Sequence, residues 1–176
     1  MAAWSAIAGL VAFAAWGWAP SSFPPAFSLA MIVVWIGFED LRRFTIPNTA
    51  LVGFAALAML DLIMRPMFTL EPVLSIGLFT LDGLLCGGSI LLVREAYFRR
   101  KGEDGVGFGD VKLAAVGGLL CGVTAFAYAL LAASLVGLAA ALAARHFRLG
   151  EWNVRIPFGA FLAPALLVAW FLKAYT

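Results

Sequence analysis

The sequence predicts an all-α fold, a polytopic bundle of about seven transmembrane helices with a cytoplasmic N-terminus. Three observations carry that expectation. Hydrophobic residues make up 64% of the 176 and charged residues only 12%, where soluble domains carry about 25% charged, and mean hydropathy is +0.99. The apolar residues fall into runs close to the roughly 17–25 residues that cross a bilayer as helix. The basic residues then gather on one side of those runs, as the positive-inside rule requires. A net charge of +2 gives no reason to expect a nucleic-acid partner; the partner that the composition implies is the lipid bilayer.

Taken in order, the expected spans are Trp4–Ala19, Ala26–Leu41, Ile46–Met64, Val73–Val93, Asp110–Cys121, Gly122–Ala144 and Ile156–Lys173. The first lacks the basic start of a secretory signal, so residues 1–25 read as a retained extra helix ahead of a core at 26–176, all within a single domain (1–176). Ile46-Pro47-Asn48 reads as the turn that opens the third span, with Pro47 near its first position. Gly117, Gly118 and Gly122 are the only breaks in the long run from 110 to 144; one tilted helix is the alternative to two. With seven spans, Arg42, Arg43, Arg94, Arg99, Arg100, Lys101, Lys112, Arg145, Arg148 and Arg155 share one face, opposed by Arg65 and Lys173. The crowded face is expected to be cytoplasmic, with Arg94–Gly109 as a charged, glycine-bearing hairpin on it.

Cys86 and Cys121 stand in apolar stretches without a Cys-x-x-Cys pattern or a nearby histidine, so neither a metal site nor a disulfide framework is expected. No cofactor is implied.

Carboxylates in lipid cost about 2.5–3.5 kcal/mol each at a helix centre and call for an explanation. Asp61 precedes Arg65 by one helical turn and reads as an i,i+4 ion pair. Asp82 falls mid-span with no partner at its own depth, fitting either a functional role or a hydrogen bond to a neighbouring helix. Asp40 and Asp110 differ in sharing a depth, at the cytoplasmic edge. Alone, Asp110 reads as an N-cap and Asp40 as an interfacial anion answering Arg42 and Arg43. Together they read as an acid/base pair.

Three segments extend that reading. Asp40-Leu-Arg-Arg-Phe-Thr-Ile-Pro-Asn48 resembles the Asp-x5-Ile-Pro-Asn stretch of the type IV prepilin peptidases, membrane aspartyl proteases with a Gly-x-Gly-Asp motif. Gly102-Glu-Asp-Gly-Val-Gly-Phe-Gly-Asp-Val-Lys-Leu-Ala-Ala-Val-Gly-Gly118 is similar to their long signature around the second aspartate. Ile156-Pro-Phe-Gly-Ala-Phe-Leu-Ala163 is like a helix-opening segment near their C-terminus. Ala160 stands where many relatives have proline, and Pro164 where glycine is frequent; both departures are expected to touch helix packing and not the acid pair. The large cysteine-bearing loop linked to N-methylation in bifunctional relatives has no counterpart, so the chain resembles the short peptidase-only form of tight-adherence pilus systems.

The resemblance implies a multi-pass protein of the bacterial inner membrane that removes short basic leaders from prepilins or pseudopilins, with pilus-assembly components as possible partners. It makes Asp40 and Asp110 the catalytic dyad, with Pro47, Asn48, Gly107 and Gly109 supporting it. Glu39, Glu103 and Asp104 are placed to meet a basic leader. Two carboxylates about 3 Å apart share one proton; the helix dipole favours an anion at Asp110, which would make Asp110 the base and Asp40 the proton holder. Lys112 is expected to snorkel to the interface. The alternatives are a small proton-coupled transporter running along Asp40, Asp61, Asp82 and Asp110, or a non-catalytic scaffold of a pilus or secretion machine.

Overall fold

The computed structural model describes residues 23–64, 66–102, 105–146 and 157–174. Among them are six helices and no strand: α1 (Phe23–Arg43), α2 (Asn48–Met64), α3 (Pro66–Leu70), α4 (Pro72–Lys101), α5 (Phe108–His146) and α6 (Phe158–Ala174). The expected first span, Trp4–Ala19, lies outside the described residues. Helix α3 is a short piece that periodicity did not announce. Helices α4 and α5 are long and apolar enough to cross a membrane.

The expected hairpin at Arg94–Gly109 is mostly helix instead. Helix α4 runs on to Lys101, supported by the Arg99 Nε to Glu95 Oε1 contact at 2.9 Å one turn apart. Gly102 ends it in the left-handed region (φ 71°), donating its N–H to the Phe98 carbonyl at 2.8 Å. Thirty residues of helix reach about 45 Å at 1.5 Å per residue, more than the roughly 30 Å of a hydrocarbon core, so a crossing by this helix would leave its charged final turns outside the apolar layer.

Helix α5 is one continuous run interrupted at Gly122, whose φ of 78° and ψ of 165° belong to a region that only glycine enters freely. The break makes two arms with opposite courses along α6. On the first arm Asp110 lies beside Gly159, and further along Gly117 backs onto Leu166. On the second arm Gly137 faces Phe161 and Gly122 faces Lys173, so this arm returns the way the first came. Cys121, the last residue before the break, has its carbonyl capped by Lys173 Nζ at 2.7 Å.

Close packing of α4 on the first arm depends on missing side chains. A Cβ on Gly118 would fall 2.6 Å from Cys86 Cβ and 2.7 Å from the Asp82 carbonyl oxygen, and one on Gly87 would fall 2.7 Å from Ala115 Cβ. Small residues of this kind let membrane helices approach at backbone distance. The most deeply buried core is formed by Leu29, Ile36, Phe54, Leu113, Leu162 and Leu166, each almost wholly buried. It clamps α1, α2, the first arm and α6 into one unit, fixing the ends that carry the acidic residues.

Candidate active site

The last turn of α1 holds Asp40, which is only 5% exposed. Directly after the helix, Phe44 adopts φ 52°, an uncommon conformation for a bulky residue, and donates its N–H to the Asp40 carbonyl at 2.9 Å. That turn sends Thr45, Ile46 and Pro47 back over the helix end. Pro47 then opens α2 with its carbonyl, which accepts from the N–H groups of Ala50 at 3.1 Å and Leu51 at 3.2 Å. Helix α2 accordingly begins at Asn48, two residues later than the expected Ile46.

Asp110 sits in the first turn of α5, its own N–H donating to the Gly107 carbonyl at 3.1 Å. Helix α6 arrives N-terminus first between the two acids. The Ala160 N–H donates to Asp40 Oδ2 at 2.9 Å. A carbon attached at Gly159 would lie 3.0 Å from Asp40 Oδ2 and 3.3 Å from Asp110 Oδ1. The two oxygens can therefore be no farther apart than the sum of those distances. A gap below that limit leaves room for one water bonded to both, with hydrogen bonds of about 2.7–3.0 Å.

Ile46 forms the apolar wall. Its Cδ1 is 2.8 Å from the position a Gly159 Cβ would take, and its Cβ is 3.2 Å from that of Gly109. Gly109 thus makes room for Ile46, and Gly107 lies beside its own neighbour Asp110, with Oδ2 3.3 Å from where a Cβ would stand. Asn48 has a definite partner: its Oδ1 accepts from Lys112 Nζ at 3.0 Å. Lys112, expected to snorkel to the interface, thus also has a polar partner. Its ammonium also lies 5.2 Å from the Phe108 ring centre, with the Arg94 guanidinium 5.9 Å from the same ring.

Of the acidic residues assigned to a leader, Glu39 pairs with Arg43 at 3.1 Å one turn along α1. Glu103 and Asp104 lie outside the described residues. The remaining two aspartates belong to the far end of the bundle. Asp61 Oδ1 accepts from Trp170 Nε1 at 3.2 Å, while Arg65, its expected partner, is not among the described residues. Asp82, expected to have no partner at its depth, shares its level with Lys173: Asp82 Oδ2 and Lys173 Nζ both come within 3.3 Å of the Cβ position at Gly122. A cavity of about 1090 Å³ opens there between the second arm and α6, and neither Asp40 nor Asp110 lines it. Among the described residues no three His, Cys, Asp or Glu side chains cluster to hold a metal.

Sequence reasoning missed the contribution of α6. Ala160 was assigned to packing alone, yet its N–H reaches Asp40, and Gly159 is the point at which both acids converge. The available signal was a glycine two residues after Pro157, at the start of an apolar helix, where free N–H groups collect anions.

The model of the type IV leader peptidase family matches residues 26–142. No curated protein and no solved structure matches the chain.

Proposed function

The chain belongs to the type IV leader peptidase family, and we propose that it is an aspartyl endopeptidase of the bacterial inner membrane that trims the basic leader from prepilin-like substrates. The observation that carries this reading is the convergence of Asp40 Oδ2 and Asp110 Oδ1 on Gly159. Two carboxylates that face one common point are read as a coupled pair, one holding a proton while the other is ionised. The ionised member takes a proton from a water held between them, and the protonated member donates to the scissile carbonyl oxygen. Water oxygen bonds to the carbonyl carbon, giving a tetrahedral diol. Collapse breaks the C–N bond as the proton taken from water passes to the departing nitrogen, and the other carboxyl recovers its own. No covalent enzyme intermediate is required.

The substrate is a polypeptide with a short basic leader, a glycine and then an apolar helix. Cleavage needs an unwound carbonyl, and glycine favours unwinding. The dyad lies where the charged ends of α1 and α4 collect Arg42, Arg43, Arg99, Arg100 and Lys101, which positive-inside reasoning assigns to the cytoplasmic side.

The transporter reading fares worse. Asp40 and Asp110 gather at one end of α6 and Asp61 and Asp82 at the other, beside Trp170 and Lys173. Between Ala160 and Trp170 lie about 15 Å of helix at 1.5 Å per residue, faced by Leu162, Ala163, Leu166 and Leu167, all buried and apolar. The test is to incubate membranes holding this chain with a candidate prepilin and determine the new N-terminus by mass spectrometry. The peptidase reading requires a cut immediately after the leader glycine; an intact leader with every candidate removes it.

A further inference from the structure

We infer that Ile46 imposes the glycine before the cut: its side chain fills the space beside the dyad that a Cβ on that substrate residue would need. This rests on the peptidase reading above and goes past it, since that reading asks glycine only to unwind the substrate.

Three glycines and one branched side chain define the space. Ile46 Cδ1 lies 2.8 Å from the position of a Gly159 Cβ, and that position is 3.0 Å from Asp40 Oδ2 and 3.3 Å from Asp110 Oδ1. The methyl group is therefore no farther from either acid than the two legs of that path together. On its other side, Ile46 Cβ, Cγ1 and Cδ1 stand 3.2, 3.3 and 3.4 Å from the Cβ position of Gly109, and Asp110 Oδ2 stands 3.3 Å from that of Gly107. At all three positions bordering the pair, a methyl group would press on an acid or on Ile46.

A scissile carbonyl meets the same constraint. Its oxygen must come within about 2.7–3.0 Å of a carboxyl oxygen. Bond lengths then hold the Cα of the residue before the cut within about 6 Å of that acid. Ile46 Cδ1 occupies the same shell, and carbon atoms settle at about 3.5–4.0 Å from one another. Glycine presents only hydrogen there. Alanine must push Ile46 off its seat between Gly109 and Gly159 before its carbonyl reaches the acids. Two features of the sequence oppose that push. Pro47 restricts the backbone of the residue before it, and the branch at Cβ leaves Ile46 few rotamers. The partly buried side chain also packs against the hydrophobic core.

The test compares kcat/KM for two fusions that differ only in glycine or alanine before the cut, with the full chain in membranes. Wild-type chain should favour glycine. Ile46→Val removes Cδ1 and keeps the β-branch, and it should narrow that preference about tenfold, the lower range for one methylene in an apolar pocket. The change should be carried by kcat on the alanine fusion. Equal losses on both fusions, with the ratio unmoved, overturn the assignment, as does wild-type chain that trims both alike. Should Ile46→Val fail to accumulate, Asp110→Asn chain with Ile46 intact is mixed with a glycine fusion carrying photo-leucine directly after the glycine. Light should couple it to the turn that holds Ile46; coupling only elsewhere overturns the assignment. Wild-type chain that trims neither fusion removes the peptidase reading and this inference with it, so the two failures are told apart.

Discussion

Lys112 Nζ donates to Asn48 Oδ1 at 3.0 Å across 64 residues of chain. The bond joins the helix that carries Asp110 to the turn that follows Asp40, so it links two sequence motifs whose association has no local cause. Lys112→Met and Asn48→Leu should each slow kcat about tenfold, the upper range for a partly solvated charged hydrogen bond, with KM little changed. The double variant should lose no more than either single one, since both remove the same bond. Additive losses would show that the two side chains act apart.

Gly159 is predicted to be the residue least tolerant of a methyl group. Its Cβ would stand 2.8 Å from Ile46 Cδ1, 3.0 Å from Asp40 Oδ2 and 3.3 Å from Asp110 Oδ1. Ile46 can swing aside, but the acids can yield only by separating, and a displacement of about 1 Å at a reacting centre costs on the order of 100-fold. Gly159→Ala should lose cleavage to about that extent while its level in the membrane stays normal. An active alanine variant would mean that the two carboxylates do not need this spacing.

Gly122 should matter for stability more than for rate. Its φ of 78° and ψ of 165° cost a residue with a side chain roughly 1–3 kcal/mol. Gly122→Ala should therefore unfold earlier in denaturant titrations in detergent, by about that amount. It stands about 18 Å along the helix from Asp110, so cleavage per folded molecule should change little.

Asp61 and Asp82 separate the peptidase from a proton path. In Asp61→Asn the remaining carbonyl oxygen still accepts from Trp170 Nε1, and both Asp61→Asn and Asp82→Asn should cleave within a few-fold of wild type. Trp170→Phe, which removes the donor, should cost about 1 kcal/mol of stability and leave cleavage intact. A large loss of cleavage on neutralising either aspartate would implicate the far end of the bundle in the chemistry.

Much of this architecture was legible from residue order, and the rest failed for identifiable reasons. Apolar runs located α1, α2, α4 and α6 because each is a sustained hydrophobic stretch of helical length. Gly122 was visible as a break, but whether it bends a helix or reverses it depends on φ, which composition does not encode. Arg94–Lys101 was misread as loop because charge was taken as a sign of irregular chain; Glu95 and Arg99 instead stabilise helix one turn apart. At the site, both aspartates stood out as carboxylates in costly surroundings. Ala160 did not, because its contribution is a backbone N–H, which every residue but proline possesses. The partner of Lys112 escaped notice for a related reason, since spacing along α5 says nothing about an acceptor on α2.

The account turns on whether the two acids work together on one water. Asp40→Asn and Asp110→Asn, each changing a single oxygen to an amide, measure that most directly when prepilin trimming is scored beside the amount of chain in the membrane. Both variants should accumulate normally and lose trimming by several orders of magnitude, and the double variant should be no slower than either. Trimming that survives in one of them would contradict the paired mechanism, and trimming that survives in both would leave this chain as a scaffold.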